Sequence, residues 1–270
     1  MNDNILTIEE IQCLIWFGMT PFQIKKTCLD AFETLYDENQ EQFDIWLDNA
    51  EKLFDKEYEV GVKVISIQND NYPKQLLAIG NDAPPLIHLL GNSKLIERTD
   101  SVAIIGARAA DRQGLDAAFS LGVKYASDGK VIISGLAFGC DKAAHEGCLS
   151  IGGETIAIVA SGLDITHPVE NKPLQSRIIA NDGLLLSEQP FEVKANPTRL
   201  VARNRLQAAF SESVILAQCP EQSGSMHTMH FARKYHKKSY AVEFPKYTEI
   251  NGGNRLLIES KKATPLRYDN

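Results

Sequence analysis

From Ser101 to Phe244 the chain repeats one pattern, a short continuous apolar run followed by a longer amphipathic stretch. The apolar runs are SVAII, KVIIS, TIAIVA, GLLLSE, SVILAQ and SYAVEF. Each is short and rich in Val, Ile and Leu, which reads as a strand covered on both faces. The stretches between them, from RQGLDAAFSLGVKYASDG to SGSMHTMHFARKYHK, space their apolar residues as helices do. Strands separated by helices pair in parallel through crossovers. The expected fold class is therefore α/β. An extended Rossmann-like, doubly wound, mainly parallel sheet should occupy residues 98–270, with VKVISI and PPLIHLL extending that unit back to residue 61.

The first 60 residues read differently. TIEEIQCLIWF opens with a capping box, Thr7 followed by Glu10. TPFQIKKTCLDAF has Thr20 at the N-cap and Pro21 at the first helical position, and a third helix is expected around 39–54. This predicts a small helical domain over 1–60, ending near Tyr58, ahead of the α/β unit at 61–270. Charge divides at the same place. Residues 1–60 carry 14 acidic and 4 basic side chains, and the remaining 210 carry 21 and 24. The net charge of −7 thus conceals a mildly basic α/β part able to host a local anion site.

Several classes of function are disfavoured. No uninterrupted apolar run is long enough for a membrane span, and the start lacks a signal-peptide layout, so a cytoplasmic protein without a membrane partner is expected. The five cysteines are odd in number and form no C-x-x-C pair, which fits a reducing compartment. Cys140, His145 and Cys148 lack an evident fourth zinc ligand, and no metal or other cofactor is expected. After SVAII comes GARAADRQG, which is not the G-x-G-x-x-G of a dinucleotide site.

In a doubly wound sheet, ligands bind beyond the carboxyl ends of the strands, so the loops there carry the functional reading. The first offers Arg108, a planar cation suited to phosphate. The second, SGLAFGCDKAAHEG, offers Ser134, Gly135, Phe138 and Gly139, with Asp141 expected at a helix N-cap. The third supplies Gly162, Asp164 and Asn171. The fourth leads to Arg199, Arg203, Asn204 and Arg205, and Ser223, Gly224 and Ser225 open the last helix as a second anion cradle. A Cys140–His145 nucleophile pair would need an orienting group and an oxyanion site, neither of which is evident. RKYHKK at 233–238 reads as a helix end complementing its dipole, or as the extension of a nucleic-acid track. A nucleotide-ligand enzyme or sensor using the same pocket stays open.

The ordered set GAR (106–108), SGLAFGCDKAAHEG (134–147), GGETIAIVASGLDITHPVEN (152–171), GLLLSEQP (183–190), ARNR (202–205) and EQSGSMHT (221–228) resembles the DprA/Smf family of bacterial DNA-processing proteins. NYPKQLLAIGNDAPPLIHLLGN and GNRLLIESKKA are similar to that family's lead-in and closing segments, so the likeness runs from about 60 to 267. The acidic helical start is similar in type to a sterile-alpha-motif-like module. The resemblance implies a non-catalytic homodimer that binds single-stranded DNA and delivers it to the RecA recombinase. By motif, Arg108, the 134–141 loop, Arg203, Asn204 and Arg205 would line the phosphate pocket. Gly162, Asp164 and Asn171 would shape its wall, and Ser223 to Ser225 would complete it.

The departures from that family's pattern are specific. Phe138 stands where a basic residue is common, Cys140 replaces isoleucine, and Ala160 precedes the third loop's glycine. His167 replaces tyrosine, Leu200 and Val201 replace Phe-Pro, and Gln218 replaces glutamate. The chain also stops near Asn270, without a winged-helix tail, so a divergent paralogue is expected. Such paralogues include regulators in antiviral-defence and toxin–antitoxin operons, where the partner would be a paired toxin. The phosphoribohydrolase motif P-G-G-x-G-T-x-x-E is not met, because Phe231 falls where its glutamate would be.

Overall fold

The structure is a computed structural model that describes residues 5–267. Residues 1–4 and 268–270, the outer limits of the two expected units, lie outside the described residues. Four helices come first: α1 (Ile8–Trp16), α2 (Pro21–Lys26), α3 (Leu29–Glu38) and α4 (Gln40–Glu59). Both expected caps form. Thr7 and Glu10 make a capping box, as do Thr20 and Gln23. The segment read as one helix after Thr20 is two, because the chain turns extended at Thr27. The carbonyls of Ile24 and Thr27 exposed by that break accept bonds from Gln68 Nε2 at 3.0 and 2.9 Å. The third expected helix is α4, which runs to Glu59 rather than to residue 54.

The α/β part holds β1 (Lys63–Ser66), α5 (Lys74–Leu77), β2 (Leu86–Gly91), β3 (Ser101–Ile105), α6 (Arg112–Ser127), β4 (Val131–Ser134) and α7 (Cys140–Ser150). It continues through β5 (Thr155–Ile158), α8 (Lys172–Ala180), β6 (Leu184–Ser187), α9 (Pro197–Phe210), β7 (Ser213–Leu216) and α10 (Gly224–Lys234). The last elements are β8 (Lys238–Val242), α11 (Gly252–Glu259) and β9 (Thr264–Leu266). They form one sheet in the order β1-β2-β6-β5-β4-β3-β7-β8-β9. The pairs β1–β2 and β2–β6 are antiparallel and all others are parallel. Every expected strand is present. β9 escaped the sequence reading because it is three residues long and contains Pro265, which only an edge strand tolerates.

Strand periodicity sorts the core into two layers. In β3, Ala103 and Ile105 face one side with Val214 and Leu216 of β7, while Val102 and Ile104 face the other with Ile215. Helices α6 and α7 cover the second face through Ala117, Leu121, Ala144 and Cys148. Helices α9 and α10 cover the first through Leu206, Phe210, Met229 and Ala232. The N-terminal helices gather around Ile11, Leu14, Phe32 and Phe43, and Leu86 of β2 joins that cluster. A buried polar bridge adds to this contact. Glu57 of α4 lies 2.7 Å from His88 Nδ1 of β2 and accepts the Phe191 N–H at 2.8 Å.

Candidate functional site

The winding reverses at β3, because the chain goes on to β4 on one side and returns as β7 on the other. A reversal of this kind opens a crevice where the loops part. Here the loop after β3 is pinned by two backbone bonds. Ala107 N–H donates to Gln218 O at 2.7 Å, and Cys140 N–H donates to Ala107 O at 3.2 Å. Gly139 makes the second contact possible. Its φ is +73°, and a Cβ there would sit 2.2 Å from Ala107 O. Gln218, expected as a departure, works as a brace. It accepts the Asp111 N–H at 3.0 Å and donates to Asp111 Oδ1 at 2.8 Å.

Gly139, not Asp141, occupies the N-cap position of α7, which corrects the sequence expectation. Asp141 is the second residue of the helix, buried, and accepts the Gly135 N–H at 3.1 Å. It closes the loop on itself instead of capping the helix. Burial pushes its carboxyl up, and the charge of Arg203 opposes that shift. Arg203 is itself buried. Its Nη1 donates to Gly135 O at 2.8 Å and also to Ile158 O, so the guanidinium ties together the ends of β4 and β5. A Cβ at Gly135 would meet that Nη1 at 2.1 Å. Burial lowers the Arg203 pKa to about 10, with Asp141 opposing the shift and Arg108 adding to it, so the group stays cationic at neutral pH.

A cavity of about 460 Å³ lies over this crevice. Of the expected site residues, Arg108, Asp141, Arg203, Asn204, Ser223, Gly224 and Ser225 line it. Arg108 is exposed and has no ion pair among the described residues. The first turn of α10 forms the opposite wall. Ser223 caps it by accepting the Ser225 N–H at 3.3 Å, and Asn204 Nδ2 donates to Gly224 O at 3.1 Å. A Cβ on Gly224 would meet nothing within 4 Å, so the helix start faces open space. The partial positive charge of such a start attracts anions.

The other expected residues stand elsewhere. The Ser134 hydroxyl is buried and donates to Ile104 O at 2.7 Å, so it ties β4 to β3 and reaches no cavity. Asn171 Nδ2 donates to Leu136 O at 2.8 Å from a buried position. Asp164 accepts the Glu192 N–H at 3.1 Å, and a Cβ on Gly162 would lie 2.4 Å from Pro190 O. These three brace neighbouring loops. Arg205 pairs with Glu188 at 2.5 Å and donates to Asp82 O at 2.7 Å, away from the cavity. Gly135 and Gly139 shape the loop from behind. Phe138, at the tip of that loop, is exposed and does not line the cavity. Sequence reading missed Gln207, which lines the cavity one helical turn beyond Arg203. The i, i+4 spacing of these two polar residues in α9 was the available signal. Arg203 Nε and Gln207 Nε2 are buried without a hydrogen-bond partner.

The nucleophile pair does not assemble. Burial pushes the Cys140 thiol up to about 12, and its Sγ lies 3.9 Å from both Gly114 O and Gln218 O. His145 is buried with Nδ1 2.7 Å from Thr155 Oγ1, and burial together with the Arg203 charge lowers it to about 3. Among the described residues no three His, Cys, Asp or Glu side chains are placed to hold a metal ion. No helix among them is long and apolar enough to cross a membrane.

Residues 63–269 match the family model described as DNA recombination-mediator protein A. The chain belongs to this family. It is similar to the DNA processing protein DprA of Streptococcus pneumoniae, at 38% identity over 194 residues, covering 72% of this chain and 67% of that protein. It is also similar to DprA of Bacillus subtilis, at 32% over 201 residues, covering 74% and 67% respectively. The match to Smf of Synechocystis, at 29% identity over 213 residues, covers 77% of this chain and 53% of that protein. The chain thus spans about half to two thirds of the length of these relatives. Among solved structures, that of the S. pneumoniae DprA superposes with a TM-score of 0.74 at 29% identity, covering 97% of this chain and 90% of that one. A Helicobacter pylori DprA, described for its mode of binding single-stranded DNA, superposes at 0.67 with 32% identity, covering 76% and 90%. The expected DprA/Smf membership and the expected fold are both met.

Proposed function

We propose that this chain binds single-stranded DNA through its phosphates at the β3 switch point and acts as a recombination mediator. The observation that carries this reading is the cavity's electrostatics. An exposed, unpaired Arg108, the buried cation of Arg203 and the open first turn of α10 all converge on one crevice. None of these groups reads a base edge, so affinity should be salt-sensitive and nearly sequence-indifferent. Phe138 stands at the loop tip, where it can stack on a base as a strand passes the cavity.

The reading needs no covalent step, and Cys140 and His145 are buried and bonded elsewhere. A cytoplasmic homodimer that hands its strand to a RecA-type recombinase belongs to the same proposal. A mononucleotide is the second ligand this volume would admit, since pockets of roughly 300–1,000 Å³ hold small molecules.

The test is fluorescence anisotropy of labelled oligothymidylate at two salt concentrations, with a nucleotide competition arm. Arg108→Ala is expected to weaken binding by about 1.5–3 kcal/mol, or roughly 10- to 100-fold, through loss of a charge-assisted contact. It should also reduce the salt slope by about 0.7. Binding unchanged in both respects would overturn the proposal. Arg203→Ala is a poorer probe, because removing its guanidinium frees the Gly135 and Ile158 carbonyls and disturbs the fold.

A further inference from the structure

Helix α10 contains no acidic residue from Gly224 to Lys234. It begins at the switch-point cavity and ends about 15 Å away, at 1.5 Å per residue, beside a second cavity of about 630 Å³. The walls of that cavity hold Arg233, His236, Lys237, Lys261 and Lys262 and no carboxylate. Arg233, His236, Lys261 and Lys262 are exposed and make no ion pair among the described residues. Lys237 is half-buried and donates to Ala209 O at 2.8 Å.

Neighbouring surface cations behave otherwise. Lys130 and Lys238 share Glu212, Lys234 pairs with Asp82, and Arg267 pairs with Glu243. Helix-dipole compensation does not account for the cluster. The C-termini of α10 and α11 contribute about half a negative charge each, against four full positive charges on Arg233, Lys237, Lys261 and Lys262. Between the two cavities, His227 and His230 are exposed at i, i+3 spacing along α10. Two nearby acids are already engaged, Glu221 with Arg255 at 3.6 Å and Asp82 with Lys234 and Tyr235, while Glu259 stands exposed two residues before Lys261.

We propose that single-stranded DNA leaving the switch-point cavity runs along the exposed face of α10 and is held at its far end by Arg233, Lys261 and Lys262. This rests on the nucleic-acid reading of the cavity and extends it to a second contact. A strand suits the path because it is a linear polyanion. About 15 Å of helix is long enough to run beside more than one phosphate of such a strand.

The experiment compares oligothymidylates of about 4 and about 20 nucleotides, which bracket a single-domain site. The variants are Lys261→Glu/Lys262→Glu, Arg233→Gln and Arg108→Ala in the full chain. The double reversal is expected to weaken binding of the long oligomer on the order of tenfold and to lower its salt slope by about 1.4, while the short oligomer is unaffected. Arg233→Gln should act in the same direction with about half the change in slope. Long-oligomer binding indifferent to the double reversal and to Arg233→Gln would overturn the proposal. So would a change in sedimentation state without a change in DNA affinity, which would make the patch a protein interface. A loss seen with the double reversal but not with Arg108→Ala would support the far contact and sink the cavity reading instead.

Discussion

Phe138 concentrates what is particular to this chain. In the related sequence pattern its position often carries a cation, and here an exposed aromatic ring stands in the 134–139 loop. A cation there would add a phosphate contact and steepen the salt dependence, whereas a ring adds base stacking that salt does not screen. Phe138→Ala is therefore expected to weaken oligothymidylate binding by about 1–3 kcal/mol with an unchanged salt slope. Phe138→Lys should raise the slope by about 0.7 instead. Affinity titrations at several salt concentrations read both. A fall in slope for the alanine variant would show that the ring acts by positioning the loop and not by stacking. His145 and Cys140, which look reactive in the sequence, are buried, His145 beside Thr155 Oγ1 and Cys140 beside the Gly114 and Gln218 carbonyls.

At the level of elements, the loops are held by polar side chains that reach between helices. Asp82, in the turn after α5, binds Lys234 and accepts the Tyr235 hydroxyl at 2.6 Å, both at the end of α10. Partial burial pushes its carboxyl up, but the Lys234 and Tyr235 bonds outweigh that and hold it below the ordinary carboxylate range. A group whose pKa is lower folded than unfolded stabilises the native state above its unfolded pKa and loses that contribution as pH falls through the folded value. Wild type should thus exceed Asp82→Asn in stability at neutral pH by a constant margin. The margin should close only in acid, below about pH 4. Urea unfolding between pH 7 and pH 3 measures it, and a margin that widens in acid would contradict the assignment.

For the whole molecule, the division at residue 60 is clear in pattern and charge, and we propose it as a boundary between two units. Their contact is nonetheless intimate. Leu86 completes the helical core, and the carboxylate of Glu57 is sealed between His88 and the Phe191 N–H. Removing one partner of a buried hydrogen bond leaves the other unsatisfied at a cost of about 1–3 kcal/mol, which couples the two parts. Both tryptophans, Trp16 and Trp46, lie in the helical part. Their fluorescence is expected to change in the same urea transition as the far-UV dichroism of the sheet. A tryptophan transition at lower urea would show that the helical unit unfolds by itself.

The sequence by itself determined the fold class, the order of eight of the nine described strands, the capped starts of α1 and α2 and the set of loops that meet at the strand ends. These are local matters: a period of two or 3.6, a glycine turn, a hydroxyl before a helix. They also carried the family, because an ordered series of such loops is specific even where each alone is weak. What each polar residue in those loops does was decided by tertiary structure. Ser134, Asn171 and Arg205 have the same chemistry as anion ligands, yet each donates to carbonyls or carboxylates of elements 17 to 123 residues distant, and Arg205 also to Ala202 O of its own helix. Arg108 makes no such bond and remains exposed beside the start of α10. Which cations are braces and which remain free for a ligand depends on partners brought close by the folded sheet. No local spacing encodes that.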